Sequence, residues 1–360
     1  MEPVRPDYTG ACVAGLVRAL RGREAWIPDP VPEAEAVVLF VVDGLGWQIL
    51  EQHRRAMPAL EALAGGPIST VVPSTTTTAL TSLTTGLSPA EHGIVGYRLL
   101  VGGEVMNVLR WSMSSDRRPP APEDLQPRLA FNGEPLPVVT RADFASTGFT
   151  NVHLRGARFC GWHAASSIAV HCRRLLGEGE RFVYAYYGNA DIVFHMHGLA
   201  DDFLLAELAS VDRLVADLLD AIPSSAALVV TADHGHVPFD RWIETTPLEG
   251  FLTAQSGEAR FRYLHARRGA EGDLLAAAAD LYASDAWVFP RDRLVDEGWL
   301  GPQAMTSEVR RRVGDVVLAA REPVGFLDPA NSGERRLRSG HGSLTPGEML
   351  VPLLAARGRA

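Results

Sequence analysis

Ala36-Val-Val-Leu-Phe-Val-Val-Asp43-Gly-Leu-Gly46 decides the fold of this chain. An apolar, β-branched run that ends in a carboxylate and then Gly-x-Gly reads as a strand over Ala36 to Val42, buried on both faces, that delivers Asp43 to its carboxyl-terminal edge. Open α/β sheets bind their ligands at that edge. Thirty residues later comes Pro73-Ser-Thr-Thr-Thr-Thr-Ala-Leu-Thr-Ser-Leu-Thr-Thr-Gly86, a hydroxyl-rich start to an apolar helix. Threonines at a helix start serve as caps. The other reading is that one of them aims its hydroxyl at a metal near Asp43, as a nucleophile does.

Working outward, further strands are expected at Ile68 to Val72, Phe182 to Tyr187 and Ala227 to Thr231, all apolar runs bounded by Gly, Pro, Asp or Asn. The clearest helix is Asp201 to Ile222, where Leu204, Leu208, Val211, Val215, Leu218 and Ile222 recur at spacings of four and three. Alternating strands and helices predict a doubly wound, mostly parallel sheet flanked by helices. The segment 98–145, Pro-rich around Arg117 to Leu136, reads as an irregular excursion that shapes access to a site. A second segment, 250–330, with short strands expected at Phe261 to Leu264, Trp287 to Phe289 and Val316 to Leu318, reads as a small α/β insertion.

With 360 residues, 46% of them hydrophobic and 21% charged, the chain buries a large core as one domain spanning 1–360. Its net charge of −9 argues against nucleic-acid polymers and anionic membranes, which are held by surplus Lys and Arg. A small anionic substrate remains compatible, because bound divalent metals reverse the local field. Three cysteines without C-x-x-C spacing give neither a disulfide framework nor a thiolate zinc site. No basic-then-apolar leader opens the sequence, and no apolar run approaches the roughly eighteen residues of a membrane span, so the expected location is the cytoplasm. The sequence leaves the oligomeric state open.

Six side chains of metal-ligating type fall at predicted strand ends or helix starts: Asp43, Asp191, His195, Asp233, His234 and His341. Asp191 and His195 are four apart, so one helical turn points both to one side. Asp233 and His234 follow a strand that stops at Asp-His-Gly, and His341 lies in Ser339-Gly-His-Gly-Ser343. Carboxylate and imidazole without thiolate suit catalytic zinc or manganese better than a structural ion. Each group alone has a plainer reading: a helix cap for Asp43, a surface hydrogen bond for Asp191 with His195, a loop histidine for His341 and a turn for Asp233-His-Gly235. Together, four segments deliver ligands beside turns and a fifth delivers a hydroxyl.

In its ordered motifs Val42-Asp43-Gly44, Pro73-Ser-Thr-Thr76, Thr85-Gly86 with Ser88-Pro-Ala-Glu-His-Gly93, Asp191 to Gly198, Asp233-His-Gly235 and His341-Gly, the chain resembles the nucleotide pyrophosphatase/phosphodiesterase branch of the alkaline phosphatase superfamily. The resemblance implies an alkaline-phosphatase-like fold and two divalent ions, zinc or manganese. It implies a Thr76 nucleophile, with Thr75 and Thr77 as the assignments one register away. One ion falls to Asp43, Asp233 and His234, the other to Asp191, His195 and His341, and the two clamp the apical oxygens of an in-line displacement. The reaction implied is hydrolysis of a phosphodiester or pyrophosphate, nucleotide-like, through a covalent Thr76 adduct, with the Thr77 amide binding a nonbridging oxygen. Where diesterases of the family carry asparagine in a His-Gly-Ile-Val-x-Asn context, this chain has His92-Gly-Ile-Val-Gly96-Tyr97. Tyr97 either donates its phenolic hydrogen to the same oxygen or packs as an ordinary aromatic.

His197 and His236 are expected to orient ligands or meet substrate, and His92 to stabilise a loop. Trp47, Trp111, Phe131 and Phe194 read as core, and Arg98, Arg110, Arg117 and Arg118 as scattered charge. A phosphomonoesterase or phosphonate hydrolase uses the same ligands and is the first competing reading. A non-catalytic metal- or nucleotide-binding protein is the second. Sulfatases are excluded, since no cysteine sits in Cys-x-Pro-x-Arg.

Overall fold

In the computed structural model, which describes residues 1–360, the run Ala36–Val42 is strand β1 at the middle of a seven-stranded sheet. Its companions in chain order are β2 (Ala64–Ser69), β3 (Pro137–Arg141), β4 (Arg158–Trp162), β5 (Phe182–Tyr187), β6 (Ala226–Thr231) and β7 (Leu350–Arg357). They lie in the order β2-β7-β6-β1-β5-β3-β4. β1 pairs parallel with β5 and β6, and β3 pairs parallel with β5 and β4. β7 runs antiparallel to both of its neighbours, the edge strand β2 and β6, and the other pairings are parallel. Register matters more than strand count here, because Val42 lies opposite Tyr187 and Val41 opposite Thr231. The residues that follow β1, β5 and β6 therefore emerge side by side at one edge.

Helices flank this sheet: α1 (Thr76–Thr85), α2 (Gly148–His153), α3 (Asn189–His197) and α4 (Asp202–Ala221). The Asp201 carboxylate caps α4 by accepting from the amides of Phe203 and Leu204, and the helix buries the predicted leucine and valine stripe. β2 departs from expectation, since pairing begins at Ala64 and ends at Ser69, not at Val72. Gly65-Gly-Pro67 carries no apolar signal, yet it lies at a sheet edge where little side-chain burial is required. β7 escaped the sequence reading because Pro352 interrupts its apolar run; Pro352 faces Pro67 and lies outside the ladder to β6.

The segment 98–145 is more ordered than its composition suggests. It contains a three-stranded antiparallel sheet, Arg98–Val101, Glu104–Asn107 and Ser112–Met113, before joining β3 of the central sheet. Within 250–330, an antiparallel four-stranded sheet has the order Leu252–Gly257, Phe261–Ala266, Val316–Ala320, Ala286–Pro290. The helix Glu271–Tyr282 packs on it, and Leu248, Leu264, Leu274, Leu318 and Phe326 give it a small core of its own. All three cysteines are unpaired. No helix is long and apolar enough to cross a membrane.

A buried ion pair ties this second unit to the loop behind the sheet edge. Arg260 and Glu348 are both fully buried, and the guanidinium reaches the carboxylate through Nε at 2.7 Å and Nη2 at 3.0 Å. Glu348 also accepts from the Ser343 amide at 2.9 Å and the Thr345 hydroxyl at 2.6 Å. Removing one partner of such a pair strands the other charge in a dry interior, at about 3–5 kcal/mol. Glu348→Ala should accordingly lower the unfolding free energy by about that amount in urea denaturation; a loss below about 1 kcal/mol would show that water enters and hydrates Arg260.

Candidate metal centre and active site

Asp43, directly after β1, turns into Gly44, whose φ of 79° and closeness to His236 leave no room for a side chain. Asp233 and His234 follow β6, Asp191 and His195 lie on α3 after β5, and His341 comes from the loop before β7. The six expected ligands do converge. His234 Nε2 lies 3.4 Å from Asp43 Oδ1 and 3.4 Å from Asp233 Oδ2. His195 Nε2 is 3.4 Å from Asp191 Oδ1 and 3.2 Å from His341 Nε2, and His341 Nε2 is 3.8 Å from Asp191 Oδ1. Ligand atoms sharing one tetrahedral ion with bonds of about 2.0–2.2 Å are about 3.3–3.6 Å apart. His234 stands at that spacing from both carboxylates of its triad, and the three distances of the second triad, 3.2, 3.4 and 3.8 Å, bracket it.

Hydrogen bonding fixes which imidazole nitrogen is available. Nδ1 of His234 donates to the Gly235 carbonyl at 3.2 Å, that of His195 to the Ser339 carbonyl at 2.8 Å and that of His341 to the Ser74 carbonyl at 3.0 Å. With the proton held on Nδ1, each Nε2 presents a lone pair, the usual outer-shell arrangement of metal-binding histidine. His236 Nε2 donates to Asp191 Oδ1 at 2.8 Å, which makes it a support for that carboxylate, as expected. His197 is instead exposed and stacks on Phe203 at 3.8 Å between ring centroids, away from the ligands. His92 accepts from the Ile94 amide and meets the Ser82 hydroxyl, locking the turn after α1.

The charge balance of the cluster is unusual. Asp43 Oδ1 and Asp233 Oδ2 are buried and have no hydrogen-bond partner. Burial raises the Asp43 carboxyl well above its ordinary range, and the neighbouring Asp233 and Asp191 push it further. Burial also raises Asp233, against the pull of His234. Asp191 is held well below the ordinary range, because the imidazoles of His195, His236 and His341 outweigh its burial. An orphaned pair of carboxylate oxygens beside imidazole lone pairs is a donor set that fits a divalent cation.

Thr76 opens α1 and its Oγ1 lies 3.0 Å from His234 Nε2. Because that nitrogen is the lone-pair side, the hydroxyl donates. Thr75 is the helix N-cap without a capping side-chain bond, and Thr77 Oγ1 is buried without a partner. Within Thr75 to Thr78 only Thr76 has a hydroxyl contact to the ligand cluster, while Thr70, before the helix, donates to the Asp233 carbonyl. First-turn amides of a helix lack i−4 carbonyls and face an anion there.

Tyr97 lines the same cavity as Thr76, His195 and His341. Its hydroxyl donates to Glu334 Oε1 at 2.5 Å and accepts from Asn331 Nδ2 at 2.9 Å. In this arrangement its hydrogen is engaged, so donation to a phosphoryl oxygen requires exchanging Glu334. Three residues went unnoticed in the sequence. Tyr186 donates to Asp43 Oδ2 from alternate position 186 of β5, and Glu258 and Glu334 reach the cavity from the second unit and the loop after it. A period-two aromatic pattern in Phe182–Tyr187 was the only local sign of the first. The glutamates had none. Trp47, Trp111, Phe131 and Phe194 line neither of the two cavities that share Thr76, and Arg98 is paired with Asp328 at 2.6 Å.

Solved structures share this fold. Murine ectonucleotide pyrophosphatase/phosphodiesterase 5 superposes with a TM-score of 0.66 at 16% identity, covering 90% of this chain and 88% of its own. An inactive form of that murine protein in complex with AMP gives 0.66 at 15% identity over 89% and 87%. Phosphonoacetate hydrolase from Sinorhizobium meliloti 1021, in complex with phosphonoacetate, gives 0.65 at 18% identity over 91% of both chains. No curated protein matches by sequence. The family model for type I phosphodiesterase / nucleotide pyrophosphatase matches residues 37–344, and the chain belongs to that family.

Proposed function

We propose that the protein is a two-metal phosphohydrolase that cleaves a phosphodiester or pyrophosphate bond of a nucleotide-like substrate through a covalent Thr76 adduct. The observation that carries this reading is the Thr76 hydroxyl 3.0 Å from His234 Nε2, at the edge of a cluster in which the carboxylate and imidazole atoms of Asp43, Asp233, His234, Asp191, His195 and His341 approach one another to 3.2–3.8 Å. Asp43, Asp233 and His234 would hold one ion, and Asp191, His195 and His341 the other. Divalent metals bound there, zinc or manganese, supply Lewis-acid charge that acidifies a hydroxyl and neutralises phosphoryl oxygens.

The chain's own residues account for the rest. Thr76 Oγ bonds to phosphorus as the ester alcohol leaves, and water then cleaves the Thr76–phosphorus ester, returning the hydroxyl. The amide of Thr77, in the first turn of α1, offers a hydrogen bond to a nonbridging oxygen. His236 and Tyr186 keep the Asp191 and Asp43 carboxylates in place. A phosphomonoesterase or phosphonate hydrolase with the same ligands is the second reading, favoured by Tyr97 where family diesterases carry asparagine.

Hydrolysis of bis-4-nitrophenyl phosphate should exceed that of the monoester, should stop with chelator and should return with zinc or manganese; preference for the monoester would favour the second reading. Thr76→Ala should lower turnover by at least about a thousandfold while metal content, measured by atomic emission, stays unchanged. Asp191→Asn should reduce the metal bound per chain, and an unaltered stoichiometry would remove Asp191 from the ligands. Chelation should also lower the melting temperature, since a ligand at a hundred times its Kd contributes about 2.7 kcal/mol. That shift should shrink in Asp43→Asn.

A further inference from the structure

We propose that the cleft between the hairpin Arg98–Val101/Glu104–Asn107 and the four-stranded sheet of the second unit binds a phosphate-type dianion, free or carried on an organic arm, apart from the metal centre. The inference does not depend on the phosphohydrolase reading. The turn Leu100 to Gly103 forms one side of the cleft, and the ends of the second unit's strands with the helix Ser307–Arg312 form the other. Its volume of about 740 Å³ is that of a small-molecule site, and it shares no wall residue with the two cavities at Thr76.

Positive charge is concentrated here. The chain contains no lysine, so arginine is its sole side chain with a permanent positive charge, and Arg268, Arg291, Arg311 and Arg312 all line the cleft. Three carboxylates line it too, but Asp315 is matched by Arg291 at 2.8 Å and Glu308 by Arg312 at 2.7 Å. Arg268 and Arg311, both exposed, are left without a carboxylate, against Glu271 alone. Arg117 adjoins them: its Nη1 donates to the Gly102 carbonyl at 3.4 Å and it too meets no carboxylate, while Glu104 beside that turn accepts from the Ser115 hydroxyl at 2.6 Å. His265 adds no charge, since burial lowers it to about 4.

The wall also holds an unmet donor. Arg312 is 3% exposed, its Nη1 donates to the Gly93 and Leu125 carbonyls and its Nη2 to Glu308, yet its Nε is buried without an acceptor. A buried N–H in that state is unfavourable until an oxygen reaches it. Guanidinium forks converging from the hairpin and the second unit suit a tetrahedral dianion, whose several oxygens accept in different directions.

Calorimetric titration of the metal-loaded protein with sulfate and with AMP tests this. One equivalent per chain should bind in addition to any held at the metal centre. Arg268→Glu combined with Arg311→Glu should weaken that equivalent at least about tenfold, with hydrolysis of bis-4-nitrophenyl phosphate in sulfate-free buffer unchanged. Asp191→Asn should leave it intact. AMP bound there at least about tenfold more tightly than sulfate would assign a phosphate on an organic arm, and AMP no tighter than sulfate a free dianion. Isotherms of the parent and the double variant that coincide for both ligands would overturn the proposal, as would loss of the equivalent in Asp191→Asn. Absence of turnover on every ester, with the cleft equivalent intact, would instead overturn the phosphohydrolase reading alone.

Discussion

Two carboxylate oxygens, Asp43 Oδ1 and Asp233 Oδ2, are buried without a hydrogen-bond partner, and the architecture around them follows from that constraint. Burying an unpaired carboxylate is costly by several kcal/mol unless a positive charge compensates. Nothing about packing alone requires these groups, because β1 and β6 pair through apolar runs that end one and two residues earlier. The sheet therefore imposes the adjacency and leaves it uncompensated by protein atoms. Parallel pairing is what makes this possible, since it sends the carboxyl ends of β1, β5 and β6 to the same edge.

The rest of the centre is arranged to keep that edge rigid. Three Nδ1 atoms donate to backbone carbonyls of Gly235, Ser339 and Ser74, so each ring is oriented by main chain rather than by another mobile side chain. Ser339 serves twice: its carbonyl holds His195, and its hydroxyl lies 3.0 Å from His236 while donating to the Phe194 carbonyl. The Arg260–Glu348 pair fixes the loop that follows His341, because Glu348 accepts the Ser343 amide. Displacing one carbonyl would turn a lone pair away from the ligand cluster. Preorganisation of this kind is what a metal-assisted displacement requires.

Legibility in the sequence followed distance. β1, β5, β6 and α4 were readable because apolar run length and period are local properties, and Asp43, Asp233 and His234 because they terminate such runs. Asp191 and His195 were readable through helical spacing, and His341 through its glycine-flanked loop, Ser339-Gly-His-Gly-Ser343, taken together with the other ligand segments. β2 and β7 were misread or missed because edge position and an antiparallel partner make Gly65, Gly66 and Pro352 acceptable. Glu258 and Glu334 were invisible, since each enters the cavity from a segment whose docking depends on tertiary contacts. Tyr97 was visible as a departure, yet its engagement with Glu334, 237 positions away, could not be inferred locally.

The distribution of positive charge gives the arrangement its logic. A chain with net charge −9 and no lysine has only arginines to attract an anion, and the buried ones are committed to structure: Arg260 to Glu348, Arg262 to Glu334, Arg98 to Asp328 and Arg312 to Glu308. Each of those guanidiniums is matched by a carboxylate, so none projects a net field into the cavity beside Thr76. Under the proposed function, attraction for a phosphoryl group would come from cations held at the strand edge, where the aspartates outnumber any protein charge that could neutralise them. Cations held there would meet the phosphorus end of a substrate, while Leu80, Phe144 and Phe149 on the adjoining cavity wall carry no charge.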